Sequence, residues 1–93
     1  MRDLRTIHFK IKENTALSEL DDQAILLNLD SGIYFKLNEL GLFIVANLNH
    51  NTDFFSLVKL ICNKYEISEN SCSLDLDNFL NQLRDRELLE IIE

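Results

Sequence analysis

The chain has 93 residues, 46% of them hydrophobic and 27% charged, with a formal net charge of -7 and two cysteines. That length holds one hydrophobic core, and the composition lies far from that of a disordered chain. The acid excess repels a phosphate backbone, no apolar run reaches the roughly 18 residues of a membrane span, and Cys62 and Cys72 are too few and too far apart for a zinc ribbon. These features predict one cytoplasmic domain over residues 1–93, with neither nucleic acid nor membrane as partner.

In chain order, Ile7, Phe9 and Ile11 alternate with His8, Lys10 and Lys12, the two-residue period of a half-buried strand. The polar stretch from Glu13 to Gln23 has no clear period and reads as a connecting loop. Ala24 to Leu29 and Ile33 to Leu37 form a predicted hairpin, with Asp30 and Ser31 suited to turn bonds and Gly32 able to take positive φ. In its second strand Ile33, Phe35 and Leu37 share a face assigned to the core, leaving Tyr34 and Lys36 outward. Asn38 then caps a helix carrying Leu40, Ile44, Ala46 and Leu48 that ends near Asn49 to Asn51. Thr52 caps a second helix, with Asp53 in its first turn and Leu57, Val58, Ile61 and Tyr65 on its buried face. Ser68 opens a third, striped by Leu76, Phe79, Leu80 and Leu83, and Leu88 to Ile92 closes the core. The predicted fold is α+β and winged-helix-like, a three-stranded antiparallel sheet followed by three helices.

Catalysis needs a nucleophile, a base and an orienting group in one place, and neither histidine, His8 or His50, stands in a motif that supplies them. A metal site from His50, Cys62 and Cys72 would need three separated elements to converge without supporting spacing. Asp30-Ser31 resembles the attachment serine of acyl carrier proteins, but Gly32 and a strand follow where that family has a helix. The chain is therefore expected to be neither an enzyme nor a holder of a cofactor or metal. The outward Lys and His residues, His8, Lys10 and Lys12 on the first strand with Tyr34 and Lys36 on the third, form a basic stripe on an acidic protein. Such a stripe either discourages edge aggregation or marks a strand edge that receives a ligand.

The run LNLDSGIYFKLNELGLFIVANL resembles the characteristic stretch of the coenzyme PQQ synthesis protein D family, also known as the RiPP recognition element. The family's hairpin aspartate and glycine match Asp30 and Gly32, and its L-N-x-x-G matches Leu37, Asn38 and Gly41. Its Thr-started helix matches Thr52, Leu57, Ile61, Tyr65 and Ile67, and its last helix matches Asp75, Leu76, Phe79, Leu80 and Leu83. Val45 replaces a frequent Trp, and Glu87 a frequent helix-ending Gly. The resemblance implies a domain that binds the leader segment of a ribosomally made precursor peptide by strand addition. It implies a groove built from Ile33, Tyr34, Phe35, Lys36 and Leu37 with Leu76, Asp77, Leu80, Asn81 and Arg84 of the last helix. The partner enzyme would be a leader peptidase, as in lasso-peptide pathways, or another maturation enzyme. The lasso type is favoured over a PQQ escort for a radical SAM enzyme, because many such escorts carry a Pro-Glu-Gly run and this chain has no Pro. A winged-helix transcription regulator would need a basic third helix, whereas Leu74 to Asp85 carries Arg84 against three Asp. A dimerising domain that uses the open strand edge is a further alternative.

Overall fold

Six short strands and three helices make up the computed structural model, which describes residues 8–21, 23–48 and 52–92. The chain runs β1 (His8–Ile11), β2 (Thr15–Leu20), β3 (Gln23–Asn28), β4 (Tyr34–Leu37), α1 (Glu39–Ala46), β5 (Thr52–Asp53), α2 (Phe54–Tyr65), α3 (Glu69–Asp85) and β6 (Leu89–Ile92). Two three-stranded antiparallel sheets result, ordered β2-β3-β4 and β5-β1-β6. The class is α+β and the architecture winged-helix-like, with the predicted hairpin and three helices in place; the hairpin's third strand is β2, however, and β1, expected in the same sheet, pairs instead with β5 and β6.

The stretch expected as a loop between Glu13 and Gln23 contains β2, all six of whose residues pair with β3, from Thr15 opposite Asn28 to Leu20 opposite Gln23. Leu17, Ser18 and Glu19 are all exposed, so β2 lacks the buried alternation that betrays a strand; pairing with β3 makes it one. β1 is the middle strand of its sheet, and its outward charges have local partners: His8 Nε2 lies 4.0 Å from an Asp53 carboxylate oxygen and Lys10 Nζ 3.8 Å from Glu13. That half of the basic stripe is therefore not an open edge.

All three helices begin on side-chain caps: Asn38 Oδ1 accepts from the Gly41 N–H at 2.7 Å, Asp53 Oδ1 from Ser56 at 2.7 Å, and the Ser68 hydroxyl from Ser71 at 3.2 Å. Asn38 and Ser68 are the caps the sequence predicts. Asp53 takes the place expected for Thr52, because Thr52 is buried in β5 opposite Phe9. The Ser56 N–H bond also holds the Asp53 carboxyl below its ordinary range. α1 stops at Ala46, earlier than expected, with Asn47 as its C-cap; the expected end at Asn49 to Asn51 lies outside the described residues.

The core sits between the helices and the inner faces of both sheets: Phe9 and Leu89 from one sheet, Leu26 and Leu37 from the other, meet Ile44, Leu57, Ile61, Leu76, Leu80 and Leu83. Asn28, 3% exposed, is a polar tie at the end of β3. Its Oδ1 accepts from the Asp30 and Ser31 N–H groups at 2.9 and 3.1 Å, which shapes the turn, and its Nδ2 donates to the Glu87 carbonyl at 3.0 Å, 59 residues away. One amide thus fixes the hairpin against the end of α3. Asn28→Ala leaves two turn donors and a carbonyl to find other partners, and should lower stability by about 2 kcal/mol, read as a denaturant midpoint shift at unchanged slope.

Candidate peptide groove

Among the described residues β4 is the outer strand of the β2-β3-β4 sheet, pairing with β3 on one side only. Its register sets Phe35 opposite Leu26 and Leu37 opposite Ala24, and at the next position back the Asn28 N–H donates to the Ile33 carbonyl at 2.9 Å. Hydrogen-bonded and non-hydrogen-bonded pairs alternate along an antiparallel ladder. The Ile33 carbonyl and the main-chain groups of Phe35 and Leu37 therefore face β3, the Ile33 N–H donating to the Ser31 hydroxyl at 3.2 Å, while Tyr34 and Lys36 direct theirs to the open edge. Gly32, at φ 76°, closes the turn before this strand in the left-handed region that glycine takes without strain.

A groove of about 470 Å3 lies beside that edge, lined by Phe35, Lys36, Leu37 and Asn38 on the strand side and by Phe79 and Gln82 of α3. Phe35 meets Phe79 edge to face with centroids 5.9 Å apart, and the Arg86 guanidinium stands 4.8 Å from the centre of the Phe35 ring. At about 100° per residue, positions 75, 79, 82 and 86 fall on one narrow face of the helix, adjoining the buried stripe of Cys72, Leu76, Leu80 and Leu83. A second pocket of about 260 Å3 shares Asn38 and Phe79 with the groove and continues between the helices, lined also by Gly41, Ile44, Ile61, Cys72, Asp75 and Leu76. Gly41 permits this close approach, since a Cβ there would meet Asn38 Oδ1 and Phe79 Cε1 at 3.2 Å.

The ten residues expected to form the groove separate into three groups. Phe35, Lys36 and Leu37 line it; Tyr34, 57% exposed, stands on the same strand, and Ile33, expected in the core, is 44% exposed because β4 begins only at Tyr34. Leu76 and Leu80 are 1% and 0% exposed, so they belong to the core, Leu76 also forming part of the inner pocket. Asp77, Asn81 and Arg84 fall on the side of α3 turned away from the groove stripe, by the same helical spacing. There they interact with one another, Asn81 Nδ2 donating to the Asp77 carbonyl at 2.8 Å and Arg84 to Asn81 Oδ1. The helix wall is instead Phe79 and Gln82. The signal for it was present in the sequence as the face one step round from the apolar stripe, where an aromatic, an amide and an arginine recur at helical spacing.

Among the described residues, no His, Cys, Asp or Glu lines the groove. Burial pushes the Cys72 thiol in the inner pocket up to about 11, which keeps it protonated. Among the described residues no three His, Cys, Asp or Glu side chains converge as a metal site. What remains is a main-chain edge with donors and acceptors outward beside an apolar trough, the arrangement that accepts an extended peptide as an added strand.

The family described as coenzyme PQQ synthesis protein D (PqqD) matches residues 23–89, which span the hairpin, the helices and the groove. No curated protein matches in sequence. Among solved structures, TbiB1 in complex with the TbiA(beta) leader peptide is 33% identical, with a TM-score of 0.78 over 87% of this chain and 94% of that one. Lasso peptide synthetase B1 complexed with the leader peptide is 20% identical, and its TM-score of 0.77 over 88% and 96% of the two chains shows the same fold.

Proposed function

Because the chain belongs to the coenzyme PQQ synthesis protein D family, the RiPP recognition elements, we propose that it captures the leader segment of a ribosomally made precursor peptide as a strand added to β4. The observation that carries this reading is the open edge of β4, with Tyr34 and Lys36 main-chain groups outward beside the trough lined by Phe35 and Phe79. The captured leader is then presented to a leader peptidase or another maturation enzyme, which carries out the chemistry. A lasso-peptide pathway is favoured, since TbiB1, at 33% identity, was solved with a leader peptide and the second similar structure is a lasso peptide synthetase B1. A DNA-binding role is disfavoured by α3, whose acids Glu69, Asp75, Asp77 and Asp85 outnumber Arg84.

Amide hydrogen exchange with the TbiA(beta) leader peptide as probe tests the proposal. New protection is expected at Tyr34 and Lys36 and along α3; protection confined to α1 and α2, with β4 unchanged, would overturn it. A charge reversal adds a second measurement. Lys36 is exposed on the docking strand and Lys59 is exposed on α2. Lys36→Glu should weaken peptide binding about threefold to tenfold in a fluorescence titration, mostly through association, and Lys59→Glu should leave it unchanged. Equal effects would remove Lys36 from the site.

A further inference from the structure

We propose that Arg86 is a specificity-determining residue, its guanidinium selecting peptides that carry a carboxylate at the end of the added strand nearest Tyr34. This rests on the reading of β4 as the docking edge and adds to it a chemical preference in the ligand.

Arg86 follows the last turn of α3 and completes the groove-side stripe of Asp75, Phe79 and Gln82. Two contacts set its position: the guanidinium lies 4.8 Å from the Phe35 ring centre, and Nη1 donates to the Gln82 carbonyl at 3.4 Å. A guanidinium has five N–H donors in one plane, and stacking on a ring leaves its edges available. No carboxylate among the described residues forms an ion pair with it, although Asp85 and Glu87 flank it in sequence. A half-buried guanidinium with no carboxylate partner among the described residues, at the lip of an apolar trough in a protein of net charge -7, is a feature the fold does not require. Packing alone would be served by Lys or Met over Phe35.

The polarity of the groove supports the assignment. Asp75 lines the inner pocket at one end and Arg86 stands at the other, 11 residues along the helix or roughly 16 Å at about 1.5 Å per residue. Phe79 reaches from Phe35 to Gly41, whereas Arg86 stands at Phe35 and the next residue, Glu87, accepts from Asn28 opposite Ile33, so the Arg86 end of the groove is the Tyr34 end of β4. A carboxylate arriving there meets a charge-assisted, two-pronged donor. A peptide with a basic side chain at that end is repelled.

The test is selection of a display library of random 15-residue peptides on the intact protein. Amide exchange on the resulting binders checks separately that they protect β4. Binders on β4 are expected to share an Asp or Glu at one terminal position of the paired segment. Converting it to Asn or Gln should weaken binding to the wild type about tenfold and to Arg86→Gln by less than twofold, with Arg86→Lys intermediate. Folding of each variant is checked by its denaturant midpoint, which a packing role would shift and the acid preference would not. Binders on β4 that lack a shared acid, or that lose equally on both proteins when it is neutralised, overturn the role of Arg86 and leave strand capture standing. An absence of binders, or binders that protect other elements, overturns strand capture and the Arg86 assignment with it.

Discussion

Tyr34→Pro is expected to weaken peptide capture ten- to a hundredfold while the domain stays folded. The Tyr34 N–H faces the open edge, as the alternation set by the Asn28 to Ile33 bond requires. Proline there removes a donor meant for the ligand and places its ring in the ligand's path, yet takes no bond from the β3–β4 ladder. The preceding residue, Ile33, lies just ahead of the strand and outside any helix, a setting compatible with a following proline. One lost main-chain bond with the neighbouring misfit corresponds to about 1–3 kcal/mol, hence the stated range. Tyr34→Ala separates the side chain from the main chain and should cost far less. Phe35→Pro is the opposite control: its N–H belongs to the ladder with Leu26, so it should disrupt the hairpin itself. Peptide titration alongside circular dichroism reads all three, and equal binding by Tyr34→Pro and Tyr34→Ala would refute docking on this edge.

Leu80→Asp should abolish folding, leaving groove chemistry unreported. Leu80 is 0% exposed and packed among the largest core side chains. Replacing it removes an apolar contact worth about 2–5 kcal/mol and forces a carboxyl into the core without a partner. A domain of this size has about 5–14 kcal/mol of stability in all, so the combined loss takes most or all of it. A thermal melt without a cooperative transition is the expected result; a normal melt would mean that Leu80 points to solvent. Phe79→Ala, one position away, is the contrasting variant. Phe79 is half-buried and lines the groove, so its loss should weaken capture more than it lowers the melting temperature.

Where sequence and structure part company, a contact with another segment decides what the local pattern leaves open. The hairpin at Asp30 to Gly32 and the caps Asn38 and Ser68 were legible because turn and cap chemistry is local. β2 was not, because its residues are half polar and its identity comes from β3. The apolar positions of α3 are legible as a helical stripe, but periodicity does not say which residues at the stripe's margin meet another element. The sequence pattern puts Leu76 and Leu80 in the groove, whereas the core takes both, and Phe79 and Gln82 occupy the wall because β4 lies on that flank. Asp77, Asn81 and Arg84 are polar residues of α3 just as Gln82 is; the hairpin's position alone separates them.

That position has a consequence for the order in which the domain is made. The groove's floor comes from Phe35, its far wall from Phe79 and Gln82, and the tie that holds them in place joins Asn28 to Glu87. β1 likewise has only the two-residue β5 beside it until β6 is synthesised, when His8 can pair with Ile92. On the ribosome, the β2-β3-β4 sheet can form early from adjacent segments, but it has no helix wall beside it until α3 has left the exit tunnel. Long-range closure of this kind is slow compared with hairpin formation. A nascent chain therefore shows the edge before it has the trough, and full leader selectivity belongs only to the finished domain.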